Sequence, residues 1–167
     1  MLNIIGKLEA IDSGTILVNG INLNKIKEKD YFKNHLSYLF QNFGLIDNRT
    51  IQENLELAFL GKKITKNEKL SQMRMALKSV NLNIDLNRKI FSLSGGEAQR
   101  VAIAKTILKD SPIILADKPM ASVDKKNSDE IIELILGLKT EKKIIIIATH
   151  SPDIYNKVDH IIRIRKR

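Results

Sequence analysis

Residues 112–117 are Pro-Ile-Ile-Leu-Ala-Asp, and a second apolar run, Ile-Ile-Ile-Ile-Ala, occupies residues 144–148. Short, unbroken runs rich in Ile and Leu are typical of strands buried on both faces, as in a parallel sheet. Between the two runs, residues 128–138 place three aliphatic side chains on one helical face. A strand, a helix and a second buried strand predict a β-α-β crossover, and therefore an α/β fold.

Helix-start signals and alternating runs predict the remaining elements. Three hydroxyl residues are each followed three positions later by Glu, the pattern of an N-terminal capping box, at Thr50, Thr65 and Ser94. They predict helices over about 51–60, 67–80 and 95–109. Alternation and turn residues predict strands at 15–18 and 36–40, a turn at Asn19-Gly20 and a final strand at 160–164.

Composition excludes several classes of protein. The 167 residues contain no Cys, which excludes disulfides, thiolate zinc sites and Cys nucleophiles. The longest aliphatic run has five residues, whereas a membrane helix needs about 20, and no secretory leader is evident, so we expect a cytoplasmic protein.

The net charge of +9 is concentrated after residue 61, since residues 62–124 contain 12 basic and 6 acidic residues. This excess fits either a solvated surface or a patch that faces anionic lipid, phosphate or an acidic partner. With 21 Lys against 7 Arg, the bias does not favour a dedicated reader of DNA bases.

The most informative motif is Leu-Ser-Gly-Gly-Glu-Ala-Gln-Arg at residues 93–100. Two glycines at the start of a helix leave backbone N–H groups accessible at the positive end of the helix dipole, which favours phosphate binding, and Ser94 adds a hydroxyl. The alternative is an ordinary capped helix that follows a turn.

This segment resembles the signature motif of ATP-binding cassette (ABC) ATPases, and four further family motifs follow the family order. Residues 38–42 resemble the Q-loop, 113–117 the Walker B strand, 121–124 the D-loop, and residue 150 the switch histidine. The resemblance implies a P-loop NTPase-like α/β core, a mostly parallel sheet with flanking helices, at 1–41 and 93–167. It also implies a helical subdomain at about 42–92, all within one partial cassette domain.

The resemblance also implies a role for each matched residue. The nucleotide-binding residues are Ser94, Gly95, Gly96, Glu97 and Asp124; Asp117 and Gln41 are implied for Mg²⁺, and Gln41 and His150 for catalysis. Each of these residues taken alone has an ordinary structural explanation, such as a cap, a surface amide or a buried polar group. Their order and spacing favour the functional interpretation.

Two features depart from the family pattern. No G-x-x-x-x-G-K-[ST] phosphate loop (Walker A) occurs in the 167 residues. We therefore expect an N-terminally truncated cassette that lacks its first strands, binds ATP poorly at its own site and exposes unpaired strand edges.

Lys118 follows Asp117 where the family has the water-activating Glu. An ammonium group cannot accept a proton from water, so we expect impaired hydrolysis at this site; the alternative is a decayed sequence with a surface lysine.

These motifs imply an ATP-binding subunit that uses ATP and Mg²⁺, pairs with a second ABC cassette in a homo- or heterodimer, and serves a transmembrane permease. The expected location is the cytoplasm, on the inner face of the membrane, with no nucleic-acid partner. The details are most similar to cassettes for lipoprotein release and macrolide or peptide export. The alternatives are a degenerate cassette that acts only as a non-catalytic partner or not at all, and a non-transport member of the superfamily. Cargo, direction of transport and partner identity stay open.

Overall fold

The computed structural model describes residues 1–121 and 123–164. Ser122 of the D-loop-like motif and the basic tail 165–167 lie outside the described residues. In chain order the strands and α-helices are α1 (Leu2–Ile5), β1 (Leu17–Val18), β2 (Ile21–Asn22), α2 (Glu28–Asp30), β3 (Leu36–Leu39), α3 (Ile51–Glu56), α4 (Lys66–Ser79), α5 (Gly95–Lys109), β4 (Ile113–Asp117), α6 (Lys125–Leu136) and β5 (Ile144–Ala148). Short segments of 3-10 or π-helix occupy Leu23–Lys25, Tyr31–His35, Leu57–Phe59, Ile90–Ser92 and Pro152–Lys157.

Three parallel strands form the central sheet, in the order β3-β4-β5. The register pairs Leu36 with Ile113 and Ile113 with Ile144, so the carboxyl ends of all three strands lie at one edge. The three middle residues of β4 are at most 2% exposed, which explains its unbroken apolar run. The predicted parallel sheet and its β4-α6-β5 crossover are confirmed, while β1 and β2 form a separate antiparallel hairpin.

The two faces of the sheet contact different parts of the chain. One face, with Ile114 and Ala116 of β4, packs in the larger apolar cluster together with α3, α4, α5 and α6. The other face, with Leu115, packs against Leu2 of α1 and the buried Tyr31. Helix α5 is the most buried of the α-helices in the described part of the chain, with nine of its 15 residues buried. No helix among the described residues is both long and apolar enough to cross a bilayer.

Of the three helices predicted from capping boxes, two begin at the predicted residue and α4 begins at Lys66, one residue earlier than predicted. In each box the cap hydroxyl accepts the N–H of the Glu three residues later, and that Glu side chain accepts the N–H of the cap residue. Two N–H groups that a helix leaves unpaired are thereby satisfied. The first of these helices is α-helical only over Ile51–Glu56 and tightens to a 3-10 turn over Leu57–Phe59.

We expect the capping boxes to make the fold sensitive to acid. Hydrogen bonds from the cap residues lower the pKa of Glu53, Glu68 and Glu97. Their contribution to stability is therefore present above the ordinary Glu pKa of about 4.3 and is lost as the pH falls through the lower folded values. Urea unfolding between pH 7 and pH 3 should show a shallower loss of stability in the triple Glu→Gln variant. Glu141→Gln serves as the control, and equal slopes in the triple variant and the wild type would contradict the expectation.

Further predicted elements differ from the structure, and the strand predicted at 15–18 is reduced to Leu17–Val18. The predicted final strand at 160–164 is wrong, because this segment has no regular secondary structure and Ile162 is 78% exposed. An apolar run becomes a strand only where a neighbouring strand edge pairs with it. Helix α6 begins at Lys125, three residues before the predicted start, because the Asp124 side chain caps it by accepting the N–H of Asn127.

Candidate functional site

The N-terminus of α5 presents two backbone donors. The Ser94 N–H and hydroxyl both donate to Glu97 Oε2, at 2.8 and 2.9 Å, while the Glu97 N–H donates to Ser94 Oγ at 3.3 Å. The capping box therefore occupies the serine hydroxyl and leaves the N–H groups of Gly95 and Gly96 without a partner among the described residues. Ser94 is exposed and both glycines are half-buried. Two such N–H groups at a helix start can bind the oxygen atoms of one anionic group, such as a phosphate.

Asp124 lies next to this helix start. A Cβ atom added to Gly96 would lie 3.7 Å from the side chain of Asn127. The Asn127 amide donates to Asp124 Oδ2 at 2.7 Å. The structure thus brings the signature-like glycines and Asp124, which are almost 30 residues apart in sequence, to one surface. Asn127 was missed by sequence reasoning; its position three residues after Asp124, where it completes an Asx cap, is the signal that could have identified it.

A second group of predicted residues meets at the carboxyl edge of the sheet. Asp117 ends β4 and pairs with Ala148 of β5, two residues before His150. Gln41 follows β3, whose Leu39 pairs with Ala116. Gln41 and His150 are exposed, and Asp117 is half-buried. The carboxyl edge of a parallel sheet is where α/β proteins bind ligands.

The side chain of Tyr38, in β3, connects the sheet to α1. Tyr38 stacks on Phe40 with ring centroids 4.1 Å apart, and its hydroxyl donates to Asn3 Oδ1 at 3.0 Å. Burial raises the pKa of Tyr38, and the negative charges of Asp117 and Glu9 raise it further. The phenol therefore stays neutral and serves as a hydrogen-bond donor that fixes α1 beside the Asp117 carboxylate.

Lys118 adopts a left-handed backbone conformation directly after Asp117. Its φ is +43°, its N–H donates to Ala148 O and its carbonyl accepts the N–H of Ala121, both at 2.9 Å. A non-glycine residue in this region is uncommon and is held there by its surroundings. The side chain is exposed and forms no ion pair with a described carboxylate. The backbone hydrogen bonds thus fix the point at the sheet edge from which the Lys118 side chain extends.

Arg100 links three helices behind the site. Its Nη1 donates to Val80 O at 2.8 Å, and its Nη2 contacts Glu130 Oε2 at 2.5 Å. Val80 follows α4, and Glu130 belongs to α6. Sequence reasoning placed Arg100 in the motif without this role, because neither partner is a sequence neighbour. The start of α5 is consequently held in a fixed position relative to both helices.

Two lysines connect α5 with the ends of β3. Lys109 Nζ donates to Leu36 O at 2.6 Å, and Lys105 Nζ donates to Gly44 O at 3.3 Å, just beyond Gln41. Burial lowers the pKa of both lysines. Lys62 is exposed, and its Nζ donates to Leu108 O at 2.8 Å. Part of the positive charge therefore also binds backbone carbonyls of the fold.

A cleft lies at the end of α4, away from the sheet edge. Its volume is about 940 Å³. Apolar, amide and charged side chains share its lining: Gln52, Leu70, Arg74, Leu77, Lys78, Asn81, Leu82, Asn83, Ile84, Asp85, Leu86 and Asn87. This mixture suits the docking of a polar helix or loop better than that of an apolar small molecule.

Comparisons with known proteins agree with this architecture. Residues 1–121 match the family described as ABC transporter. The uncharacterized ABC transporter ATP-binding protein YvrO of Bacillus subtilis (strain 168) is 36% identical over 99% of this chain and 73% of its own length. The macrolide export ATP-binding/permease protein MacB of Chlorobium phaeobacteroides is 36% identical over 92% of this chain and 24% of its own.

A solved structure supports the same assignment. The dimeric structure of MJ0796, a bacterial ABC transporter cassette, matches with a TM-score of 0.81 at 30% identity, over 93% of this chain and 70% of that chain. Because the family match extends over more than two thirds of the residues and the fold agrees with it, the chain belongs to the ABC transporter family and has the fold of its ATP-binding cassettes.

Proposed function

We propose that this chain is the ATP-binding subunit of a transporter, works in a cassette dimer, and contributes mainly the start of α5 to a nucleotide held by the second cassette. The observation that supports this most strongly is the pair of unpartnered N–H groups at Gly95 and Gly96, beside Asp124. Backbone donors at a helix start stabilise phosphate charge. The solved MJ0796 structures are dimers, one of them bound to ADP and Pi.

The residues at the sheet edge fit a magnesium-nucleotide only in part. Mg²⁺ usually takes one or two protein carboxylates and completes its shell with water and phosphate oxygens. Asp117 supplies one carboxylate and Gln41 an amide oxygen, and no cluster of three or more acidic or histidine ligands exists among the described residues. When bound, Mg²⁺ would neutralise the phosphates, and His150 would contact them from the neighbouring strand.

Lys118 supports impaired hydrolysis at the chain's own edge. Its backbone hydrogen bonds place a lysine where the family has a carboxylate, and an ammonium group cannot activate water. A positive charge that reaches the phosphates from this position favours retention of a phosphate group over its release. The same observation favours the second candidate function, a non-catalytic partner that completes another cassette's site.

The cleft at the end of α4 is our proposed contact with the permease. It lies within the helical subdomain that we assign to about 42–92, and Arg74, Lys78 and Asp85 give its rim both signs of charge. A cytoplasmic helix of a membrane permease has matching chemistry. Lys63 and Lys66 are exposed at the start of α4 and can face anionic lipid, which would place the chain on the inner face of the membrane.

A mixed-cassette assay tests the proposal. An intact cassette of this family whose own signature motif is disabled by a Gly→Asp change holds ATP, and this chain supplies the opposing helix start. Adding the chain is expected to restore ATP turnover, and Gly96→Asp to reduce that turnover about tenfold or more. The added carboxylate repels phosphate and blocks the N–H groups. A tenfold loss of turnover corresponds to the loss of about 1.4 kcal/mol of stabilisation of the bound nucleotide.

Asn19→Asp is the matched control for this assay. It adds the same charge at an exposed hairpin turn, where Asn19 has a φ of +50° that Asp also tolerates. Its turnover should equal that of the wild type, and the chain alone should hydrolyse no ATP above background. Equal stimulation by Gly96→Asp and wild type would refute the role of the α5 start.

A further inference from the structure

The side-chain amide of Gln99 is buried in α5 without a hydrogen bond. Gln99 is 1% exposed, and neither its Nε2 nor its Oε1 has a partner among the described residues. Asn54 is equally buried, but it accepts the Ile46 N–H and donates to the carbonyls of Ile46 and Thr50. A buried amide without partners loses its hydration and gains no hydrogen bond in return, so this conformation is unfavourable at Gln99.

The partner that Gln99 lacks has to come from the elements that already enclose it. At 1% exposure, a further segment of chain or another subunit could reach the amide only by displacing the side chains that cover it. A small rearrangement of the elements around α5 is therefore the direct route to a hydrogen bond.

The helical pitch of α5 directs Gln99 between α6 and the sheet. Gly96 faces the start of α6, and Lys109, about 140° around the helix, donates to the carbonyl of Leu36 in β3. Gln99 lies between these two directions, about 60° from Gly96. Because β4 is the strand paired with β3 and leads into α6, Gln99 faces β4 and the connection that follows it.

Gln99 also lies level with the carboxyl end of β4. Helix α5 runs antiparallel to β3, since its two lysines bind opposite ends of that strand. The segment from Gln99 to Lys109 spans about 15 Å, the length of four to five strand residues. Lys109 is bound to Leu36, which pairs with Ile113 at the start of β4. This length brings Gln99 to the end of β4, where the connection of residues 118–124 begins.

The connection contains a second unfavourable feature. It begins with Lys118 at a φ of +43°, and a non-glycine residue in the left-handed region stores strain. Pro119 is buried, and Met120 packs against the apolar cluster that includes α5. Within residues 1–121 and 123–164, the N–H of Met120 has no hydrogen-bond partner. A main-chain donor of this kind is what the Gln99 carbonyl oxygen lacks.

We propose that Gln99 is a positioning residue for this connection. When α5 engages a nucleotide held by a second cassette, the connection shifts and its main chain bonds to the Gln99 amide. The conformation described here is then the disengaged one, and relief of the strain at Lys118 adds to the driving force for the shift. The inference rests on the proposed function, because the nucleotide has to reach Gly95 and Gly96.

The connection leads directly to the surface that would bind the phosphates. It ends at Asp124, which caps α6 and accepts the Asn127 amide beside Gly96. Gln99 lies one helical turn beyond Gly96. A nucleotide that changes the spacing of Asp124 and Gly96 therefore also moves the connection relative to Gln99.

The stability of Gln99→Met tests the unpartnered state. Methionine keeps the length and flexibility of the side chain and removes its amide group. The folding equilibrium constant from urea unfolding is expected to rise about tenfold, because the desolvation cost of the unsatisfied amide disappears. Asn54→Leu is the matched control and should lower that constant, since it removes three hydrogen bonds. A lower or unchanged constant in Gln99→Met would mean that the amide is bonded in the free chain, and it overturns the proposal.

Turnover in the mixed-cassette assay tests the role in engagement. Gln99→Met should stimulate the intact cassette about tenfold less than the wild type, although it is the more stable chain, because the engaged conformation loses its hydrogen bond. A residue with a purely structural role would change stability and turnover in the same direction. Thr106→Val removes a buried hydroxyl that is already bonded to Ala102 O, and it should leave turnover unchanged. Full turnover with Gln99→Met overturns the proposal, and Gln99→Leu decides both measurements if the methionine variant does not fold.

The positioning role and the proposed function fail separately. If the wild type gives no stimulation, the proposed function is refuted and the role in engagement with it, while the stability comparison still decides whether the Gln99 amide is unpartnered. If the wild type and Gln99→Met stimulate equally, only the positioning role is refuted.

Discussion

Leu115→Ala is expected to lower the free energy of unfolding by about 3–4 kcal/mol, the largest stability effect of any single side chain that we consider. Leu115 is fully buried in β4, the central strand, and packs on the face of the sheet that contacts α1. Because β4 is paired with β3 on one side and β5 on the other, the strand cannot shift into the space left by the removed atoms. Such a loss is a large share of the free energy of unfolding of a typical domain, which is about 5–15 kcal/mol.

The matched control is Leu17→Ala. Leu17 lies in the small hairpin and is 62% exposed, so the same chemical change should cost less than about 0.5 kcal/mol. Urea unfolding followed by circular dichroism at pH 7 measures both variants. A similar loss in the two would mean that β4 is not the centre of the core in solution.

Gly44→Val is expected to cost about 3 kcal/mol and to disturb the segment that follows Gln41. Gly44 has a φ of +61°, a region that costs other residues about 1–2 kcal/mol and is least favourable for β-branched ones. A Cβ atom there would lie 2.5 Å from Phe40 Cδ2. The Phe40 ring would have to leave its stack on Tyr38, with the loss of about 1 kcal/mol more.

Gly14→Val separates these two contributions. Gly14 has a φ of +90°, but no atom lies within 4 Å of a Cβ built there. It should show only the backbone cost, so the difference between the two variants measures the collision with Phe40. Near-UV circular dichroism should change for Gly44→Val alone; equal unfolding free energies would contradict the geometry around Phe40.

The sequence predicted the elements whose signals are local. The bounds of strands β4 and β5 were predicted within one residue, because a short, uncharged and Ile-rich run that is buried is usually a strand. The start of α5 was identified at Gly95, since Ser94 and Glu97 form a self-contained capping box. The family resemblance then gave the correct fold class.

The features that sequence reasoning missed depend on contacts between distant residues. Arg100 joins Val80 to Glu130, partners separated from it by 20 and 30 residues. The left-handed conformation of Lys118 results from its hydrogen bond to Ala148 on another strand. The segment 160–164 has the composition of a strand, but composition does not reveal whether an edge pairs with it. The roles of the predicted site residues remain predictions for the experiments above.

The length and enclosure of α5 have a mechanical consequence. Its 15 residues span about 22 Å, and the Lys109 end is bound to β3 while the Ser94 end is exposed. Arg100, near the exposed end, is bonded to Val80 O and Glu130, so the start of α5 can shift only together with α4 and α6. A joint tilt of about 10° about the Lys109 end would displace Ser94 by about 4 Å, at 1.5 Å of helix per residue, which exceeds the length of a hydrogen bond. The contacts of the phosphate donors are therefore coupled to the position of these two helices.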